Sequence, residues 1–182
     1  MVYMLLAQGF EEIEAVVPLD ILRRAGVSIT TVGIAGDTVF GSHHIGIKTD
    51  AYYPEVDFRD AEMIILPGGM PGVRSLQACE WVTSCISDAV AHGAYIAAIC
   101  GAPTILGDMG LLNGRNAVCY PGYEERLTGA IVADAPVVID GRFITAKGAG
   151  VSAEFAFELV RLLKGEETAK EIRQKMHFAN ED

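Results

Sequence analysis

Cys100 stands where a short apolar run meets a helix-forming run, in AYIAAICGAPTIL over residues 94–106. Tyr95 to Ile99 reads as a buried strand. From Ala102 the residues favour a helix, with Pro103 at a first-turn position that tolerates proline. Only Cys100 and Gly101 separate the two, so the chain must bend sharply at the cysteine. This is the nucleophile-elbow pattern, with cysteine in place of serine. Such a bend pushes the side chain out to the carboxyl edge of a sheet. It also sets the sulfur near the unpaired N–H groups of a helix start, which predicts a lowered pKa and a reactive thiolate. The competing reading is a buried structural cysteine, a common fate for this residue type.

The elements needed to hold such an elbow follow in order. Val2 to Ala7 reads as a first strand and Glu11 to Ala25 as a helix, ended by Gly26 and kinked or interrupted by Pro18. That helix is apolar nearly all round, which predicts packing against more than the sheet, as at a subunit interface. Strands are predicted at Ser28 to Val32 and Met63 to Leu66, with an irregular hairpin or edge segment at Thr38 to Thr49. Cys79 to His92 reads as a helix, followed by the elbow strand. A short strand follows at Ala117 to Cys119. Val137 to Ile139 and Phe143 to Thr145 flank Asp140-Gly141-Arg142, a hairpin signal. Ser152 is predicted to cap a helix to Leu163, a last helix runs from Glu167 to Met176, and the acidic tail is expected to fray.

Strands alternating with helices predict a mostly parallel sheet covered on both faces. Ligands of such sheets bind beyond the carboxyl ends of the strands. Gln8-Gly9, Pro67-Gly68-Gly69 and Cys100 can meet there.

The chain has 182 residues, which predicts one domain over 1–182. No apolar run approaches the roughly 20 residues of a membrane span, and the start does not read as a signal peptide. A net charge of -10 disfavours nonspecific binding to nucleic acid or an anionic membrane. The four cysteines, at 79, 85, 100 and 119, form no metal-type pair of pairs, and a reducing cytoplasm with free thiols is expected. No phosphate-loop or dinucleotide glycine pattern occurs. His43-His44 and His92 read as surface or helix-end groups.

AQGFEEIEAVVPLDILRRAG, LPGGMPG, AAICGAPTIL and KGAGVSAEFAFELVRLLKG, in this order across essentially the whole chain, resemble the DJ-1/ThiJ/PfpI superfamily, specifically its DJ-1 branch. The resemblance implies a flavodoxin-like three-layer sandwich, no cofactor and no metal, and a homodimer through the first helix. It matches Cys100 to the family's reactive cysteine and Glu14 to a buried acid that contacts its sulfur. Without the resemblance, Glu14 reads as a solvated helix residue. A neutral Glu14 would donate a hydrogen bond to a thiolate. Gly69 and Gly101 stand where backbone N–H groups can meet an oxyanion, or serve turn geometry alone. Arg24 has a family counterpart near the site or subunit boundary; its plain reading is a helix-end cation. Cys119 is a candidate second oxidisable thiol beside the site.

The chain departs from the family pattern at Tyr120, where many relatives carry histidine before proline. A Cys–His pair is therefore not assumed, and Gly101 directly after the cysteine argues against a Cys-His-Asp peptidase. The resemblance implies glyoxalase-type conversion of a small aldehyde, or repair of glycated adducts. The alternative is an oxidative-stress sensor or chaperone in which Cys100 is oxidised with little turnover. A glutamine amidotransferase or a Cys-containing hydrolase ranks last, because Ala98 replaces the glycine usual before that elbow.

Overall fold

The computed structural model describes residues 1–178; the acidic tail expected to fray lies largely outside them. Strand β1 (Val2–Leu6) leads to helix α1 (Glu12–Arg24), then β2 (Ile29–Gly33), the hairpin β3 (Thr38–Phe40) and β4 (Gly46–Lys48), and the short β5 (Ala51–Tyr52). Strand β6 (Met63–Leu66) is followed by α2 (Met70–Ala78) and α3 (Glu80–Ala91), then β7 (Tyr95–Ile99) and α4 (Pro103–Asp108). Strands β8 (Asn116–Ala117), β9 (Ile131–Val132), β10 (Val137–Asp140) and β11 (Phe143–Ala146) precede α5 (Ser152–Lys164) and α6 (Glu166–Lys175).

A seven-stranded sheet runs in the order β10-β11-β7-β6-β1-β2-β5. Its pairings are parallel except β10 with β11. Alternate residues of β1 enter opposite layers, as the pleat requires. Val2, Met4 and Leu6 pack with Phe155, Leu159 and Leu22 of α5 and α1, whereas Tyr3 and Leu5 pack with Val82, Ile86 and Leu106 of α3 and α4. The result is the predicted three-layer sandwich with a mostly parallel sheet. Each fully buried Leu or Ile stabilises it by ~1.5–3 kcal/mol.

Chain order reverses on either side of β1. From β1 the chain goes to β2 on one side, and β6, β7 and β11 extend on the other. Such a switch point leaves a crevice at the carboxyl edge. The ends of β1, β6, β7 and β11 define it here.

Three sequence expectations change. Helix α1 continues through Pro18 without interruption, although proline leaves the Glu14 carbonyl without its helical donor. Helix α2 occupies residues 70–78, for which sequence reading offers no element. Ser152 is the first helical residue of α5 rather than its cap, and the Val151 side chain provides no cap either.

Candidate active site

The elbow forms as predicted. Cys100 has φ 64, a left-handed conformation that is uncommon outside glycine. Its peptide groups are tied on both sides: its N–H donates to the Ala146 carbonyl at 2.9 Å, and its carbonyl accepts from the Tyr120 N–H at 2.7 Å. The Thr104 hydroxyl donates to the Gly101 carbonyl at 2.7 Å, closing the turn into α4. Strain of this kind persists only where surrounding bonds hold it, and it clusters at functional sites.

Glu14 comes from the first turn of α1 and is 1% exposed. Its helix begins at Glu11, whose carboxylate accepts the Glu14 N–H at 2.8 Å as an N-cap. The Glu11 N–H in turn donates to the Gly68 carbonyl at 2.9 Å, which joins the start of α1 to the end of β6. The Glu14 Oε2 accepts the Gly68 N–H at 2.9 Å. The Ala149 N–H and the Cys100 thiol also lie close enough to the carboxyl to favour its charged form. Glu14 is therefore no solvated helix residue.

Gly68 is needed for space. A Cβ there would lie 2.3 Å from the Glu14 Oε2 and 2.5 Å from the Cys100 Cβ. Gly69 is needed for conformation and space: its φ is 88, and a Cβ would lie 2.4 Å from the Gly9 carbonyl oxygen. The N–H groups of Gly69 and Gly101 both face the Cys100 sulfur. They suit a thiolate or an oxygen bound next to it.

The electrostatics correct one expectation. Burial pushes the Glu14 carboxyl up to about 7, reinforced by the nearby Glu11 charge and opposed by the hydrogen bonds it accepts. Burial, and next the Glu14 charge, push the Cys100 thiol up to about 12; the Gly69 and Gly101 amides pull the other way. The predicted low thiol pKa is thus absent while Glu14 is ionised. Among the described residues no cation acts on either group, and α4 is only six residues long. The thiol and the carboxyl instead form one coupled pair sharing a proton and a negative charge.

The other candidates separate. The Tyr120 ring forms part of the wall and is 49% exposed. A Cβ on Gly148 would lie 3.3 Å from Tyr120 Cδ2 and 3.8 Å from Glu14 Oε1, so ring and carboxyl flank the same glycine. Cys119 is buried in the apolar cluster with Ala102, Ile105 and Leu127, whereas Cys100 packs against the opposite cluster with Ile99 and Ala146. Burial, and next Glu124, push the Cys119 thiol up to about 11. Its side chain packs in the layer opposite to the one that holds Cys100. Arg24 sits ten residues after Glu14, about 15 Å along the helix axis at 1.5 Å per residue. Its exposed side chain pairs with Asp20 at 2.7 Å, so within one chain the plain reading of a helix-end cation holds.

Sequence reasoning missed the roles of Gly68, Glu11 and Ala149. The signal available for Gly68 was a glycine pair directly after a strand. Ala149 carries no side-chain signal, since it acts through its amide.

A second carboxylate, Glu12, is buried two residues before Glu14. It accepts from the His43 N–H at 2.7 Å, the His43 ring at 2.9 Å and the Ser42 hydroxyl at 3.3 Å, pinning the turn between β3 and β4 to α1. Burial raises its pKa, but the His43 bonds outweigh burial and hold the carboxyl at about 2. Glu11, Glu12 and His43 bring ligand atoms within 4.8 Å of one another, though the Glu12 oxygens are already engaged. No helix among the described residues is long and apolar enough to cross a membrane.

A strained cysteine elbow at the switch point of a mostly parallel sheet, facing a buried acid, defines the class of the site. Comparison gives the family. The DJ-1/PfpI family matches residues 1–162, and the chain belongs to it. Protein DJ-1 homolog B of Arabidopsis thaliana is 36% identical over 169 residues, covering 91% of this chain but 39% of that longer protein. Protein dj-1beta of Drosophila melanogaster is 34% identical, with 96% of this chain and 95% of that protein covered. A Caenorhabditis elegans protein named glutathione-independent glyoxalase DJR-1.2 is 32% identical, covering 93% of this chain and 91% of that one. Among solved structures, the DJ-1 superfamily protein STM1931 from Salmonella typhimurium superposes with a TM-score of 0.92 at 35% identity, covering 98% of each chain.

Proposed function

We propose that the chain is a cofactor-independent cysteine enzyme that converts small reactive carbonyls, methylglyoxal and glyoxal among them, to hydroxy acids, and acts on early glycation adducts of the same carbonyls. The observation that carries this reading is the Glu14 carboxyl, buried against the Cys100 thiol with its pKa pushed up to about 7. An acid–base group works best when its pKa lies near the operating pH.

The Glu14 carboxylate accepts the thiol proton as the Cys100 sulfur bonds to the aldehyde carbon. The carbonyl oxygen gains the electron pair, and the Gly69 and Gly101 amides are placed to meet the charge that develops. Protonation of that oxygen gives a hemithioacetal. Glu14 then carries a proton from the first carbon to the second through an enediol. The first carbon is oxidised to a thioester and the second reduced to a carbinol, so no external oxidant or reductant is needed. Water hydrolyses the thioester and restores the thiol. The relative named as a glutathione-independent glyoxalase supports this chemistry.

The assembly that fits is a homodimer through α1 in the cytoplasm. Ile13 and Val16 are exposed three residues apart on α1, and Phe40 and Ile45 are exposed on the adjoining hairpin. A second copy covering these side chains removes an apolar patch from water. Ile21 of the same helix is fully buried within the chain's own core.

Sensing is the second reading, favoured by the partial exposure of Cys100 and by the two amides that would also hold the oxygens of a sulfinate. Incubation with methylglyoxal and assay for lactate separates the two. Turnover by the wild type that disappears in Cys100→Ala supports the enzyme. Stoichiometric oxidation of Cys100 with no lactate supports the sensor.

A further inference from the structure

Glu12 is 6% exposed, and among the described residues no lysine or arginine acts on its carboxylate. Its basic partner is the His43 ring, whose side chain is 72% exposed. Histidine is a cation only while it is protonated, so a buried charge here has no permanent counter-charge. The surroundings are nevertheless built around that charge. Gly41 makes room for it, since a Cβ there would lie 2.3 Å from the Glu12 Cδ. The His43 and Ile45 N–H groups donate to Oε1 at 2.7 and 3.5 Å, which fixes the plane of the carboxylate and leaves Oε2 to the histidine ring.

Glu12 Oε2, His43 Nδ1 and Ser42 Oγ form a triangle with sides of 2.9, 3.2 and 3.3 Å. A zinc ion sits ~2.0–2.2 Å from nitrogen and oxygen ligands, so neighbouring ligands in its shell are roughly 2.9–3.5 Å apart. The triangle already has those dimensions. The Glu11 carboxylate brings a further ligand oxygen within 4.8 Å of those of Glu12 and His43. One Glu11 oxygen caps α1 by accepting the Glu14 N–H at 2.8 Å, and a carboxylate has a second. The groups that occupy Glu12 Oε2 are thus the co-ligands themselves. An ion takes the place of the hydrogen between ring and carboxylate and displaces no outside group. Two carboxylates balance a divalent charge, and the imidazole nitrogen favours zinc over magnesium or calcium. The exposed ring leaves the position open to solvent.

We propose that Glu11, Glu12 and His43, with the Ser42 hydroxyl beside them, bind a zinc ion that fastens the β3–β4 hairpin to the start of α1. The ion is structural. No step at Cys100 uses it, and the site stands or falls apart from the carbonyl-converting reading. Glu12 and His43 are 31 residues apart in sequence, so the ion closes a long loop, a cross-link that restricts the unfolded chain. It also holds Phe40 and Ile45 of the hairpin beside Ile13 of α1, the exposed apolar side chains of this surface.

The test titrates Zn²⁺ into the full chain by calorimetry, in a Cys100→Ala background so that the elbow thiol takes no part. About one ion per chain should bind, with Mg²⁺ far weaker. His43→Ala should weaken binding by at least ~10²-fold, the most that loss of a mere outer-shell partner costs. His44→Ala, which removes the neighbouring exposed histidine, should bind as its parent does. Glu12→Gln should lose the site as well; if that variant fails to fold, His43→Ala still decides, because its ring is exposed. Zn²⁺ at 100 times its Kd should raise Tm by roughly 5–10 °C in the parent and not in His43→Ala. Crystals soaked in Zn²⁺ and measured at the zinc absorption edge should show the anomalous peak between Glu12 Oε2 and His43 Nδ1. Equal affinity in His43→Ala, a peak elsewhere, or binding only at millimolar Zn²⁺, which marks an adventitious ion only, overturns the proposal.

Discussion

Glu14 and Cys100 meet across Gly68: the glycine N–H holds the Glu14 Oε2 at 2.9 Å, and a Cβ on the glycine would stand between the two side chains. Gly68→Ala should therefore separate the pair while leaving strand β6 intact. The expected loss of turnover is ~10²-fold or more, typical of removing a positioned acid–base group. It should appear in kcat/KM with methylglyoxal, with near-native far-ultraviolet circular dichroism.

Burial of Glu14 carries a stability cost that pH reveals. Below about 4.5 the carboxyl is neutral in the folded and unfolded chains alike. Between there and about 7 the folded chain keeps a proton that the unfolded chain has lost. Stability conferred by the neutral form is therefore lost as pH rises through this window, and the loss levels off above about 7. The interval corresponds to roughly 3 kcal/mol at 1.36 kcal/mol per pH unit. Glu14→Gln should stabilise the protein by up to about that amount at pH 8 and by little at pH 4, measured by urea unfolding.

Glu12 has the opposite sign. Its pKa is held at about 2, so its contribution is present above about 4.5 and fades as pH falls toward 2. Glu12→Gln should destabilise the fold at pH 7, by on the order of 1–2 kcal/mol, since the carboxylate is buried but its His43 partner is exposed. The same unfolding series should show the difference shrinking in acid.

The dimer reading separates exposed from buried residues of one helix. Ile13→Glu or Val16→Glu should give a folded monomer by light scattering. Ile21→Ala should leave assembly unchanged and cost ~2–5 kcal/mol, as deletion of a buried side chain does.

Much of this arrangement was legible in the sequence. The run of Tyr95 to Ile99 into Pro103 left no length for a loop, so the bend at Cys100 followed from the spacing. Alternating strands and helices gave the parallel sheet. The buried state of Glu14 did not follow from its helix alone; it entered through family resemblance, because burial depends on Gly68 and Ala149, far away in sequence. The thiol stands higher than local chain direction suggests for a like reason: burial first, and next the carboxylate delivered by α1, outweigh the pull of the amides at the elbow. Ser152 looked like a helix cap because serine favours that position. The 3₁₀ turn before it moves the helix start by one residue. Helix α2 carries little helical signal, because Pro71 and Gly72 are the two poorest helix formers. In the fold Pro71 occupies the first turn, and Gly72 lets the helix approach the Phe10 backbone, from which a Cβ would be 2.9–3.0 Å.

The coupled nucleophile and base at Cys100 and Glu14 are tested most directly by kcat/KM for methylglyoxal against pH, in the wild type and in Glu14→Gln, with alkylation of Cys100 followed in parallel. The wild-type rate should rise with pH through one ionisation near 7, as the carboxylate forms and becomes able to accept the thiol proton. In Glu14→Gln turnover should fall by ~10²–10⁴-fold and lose that ionisation. The thiol itself should ionise at lower pH than in the wild type, because the neighbouring negative charge is gone. A wild-type profile that persists unchanged in Glu14→Gln, at near-native rate, would contradict the account.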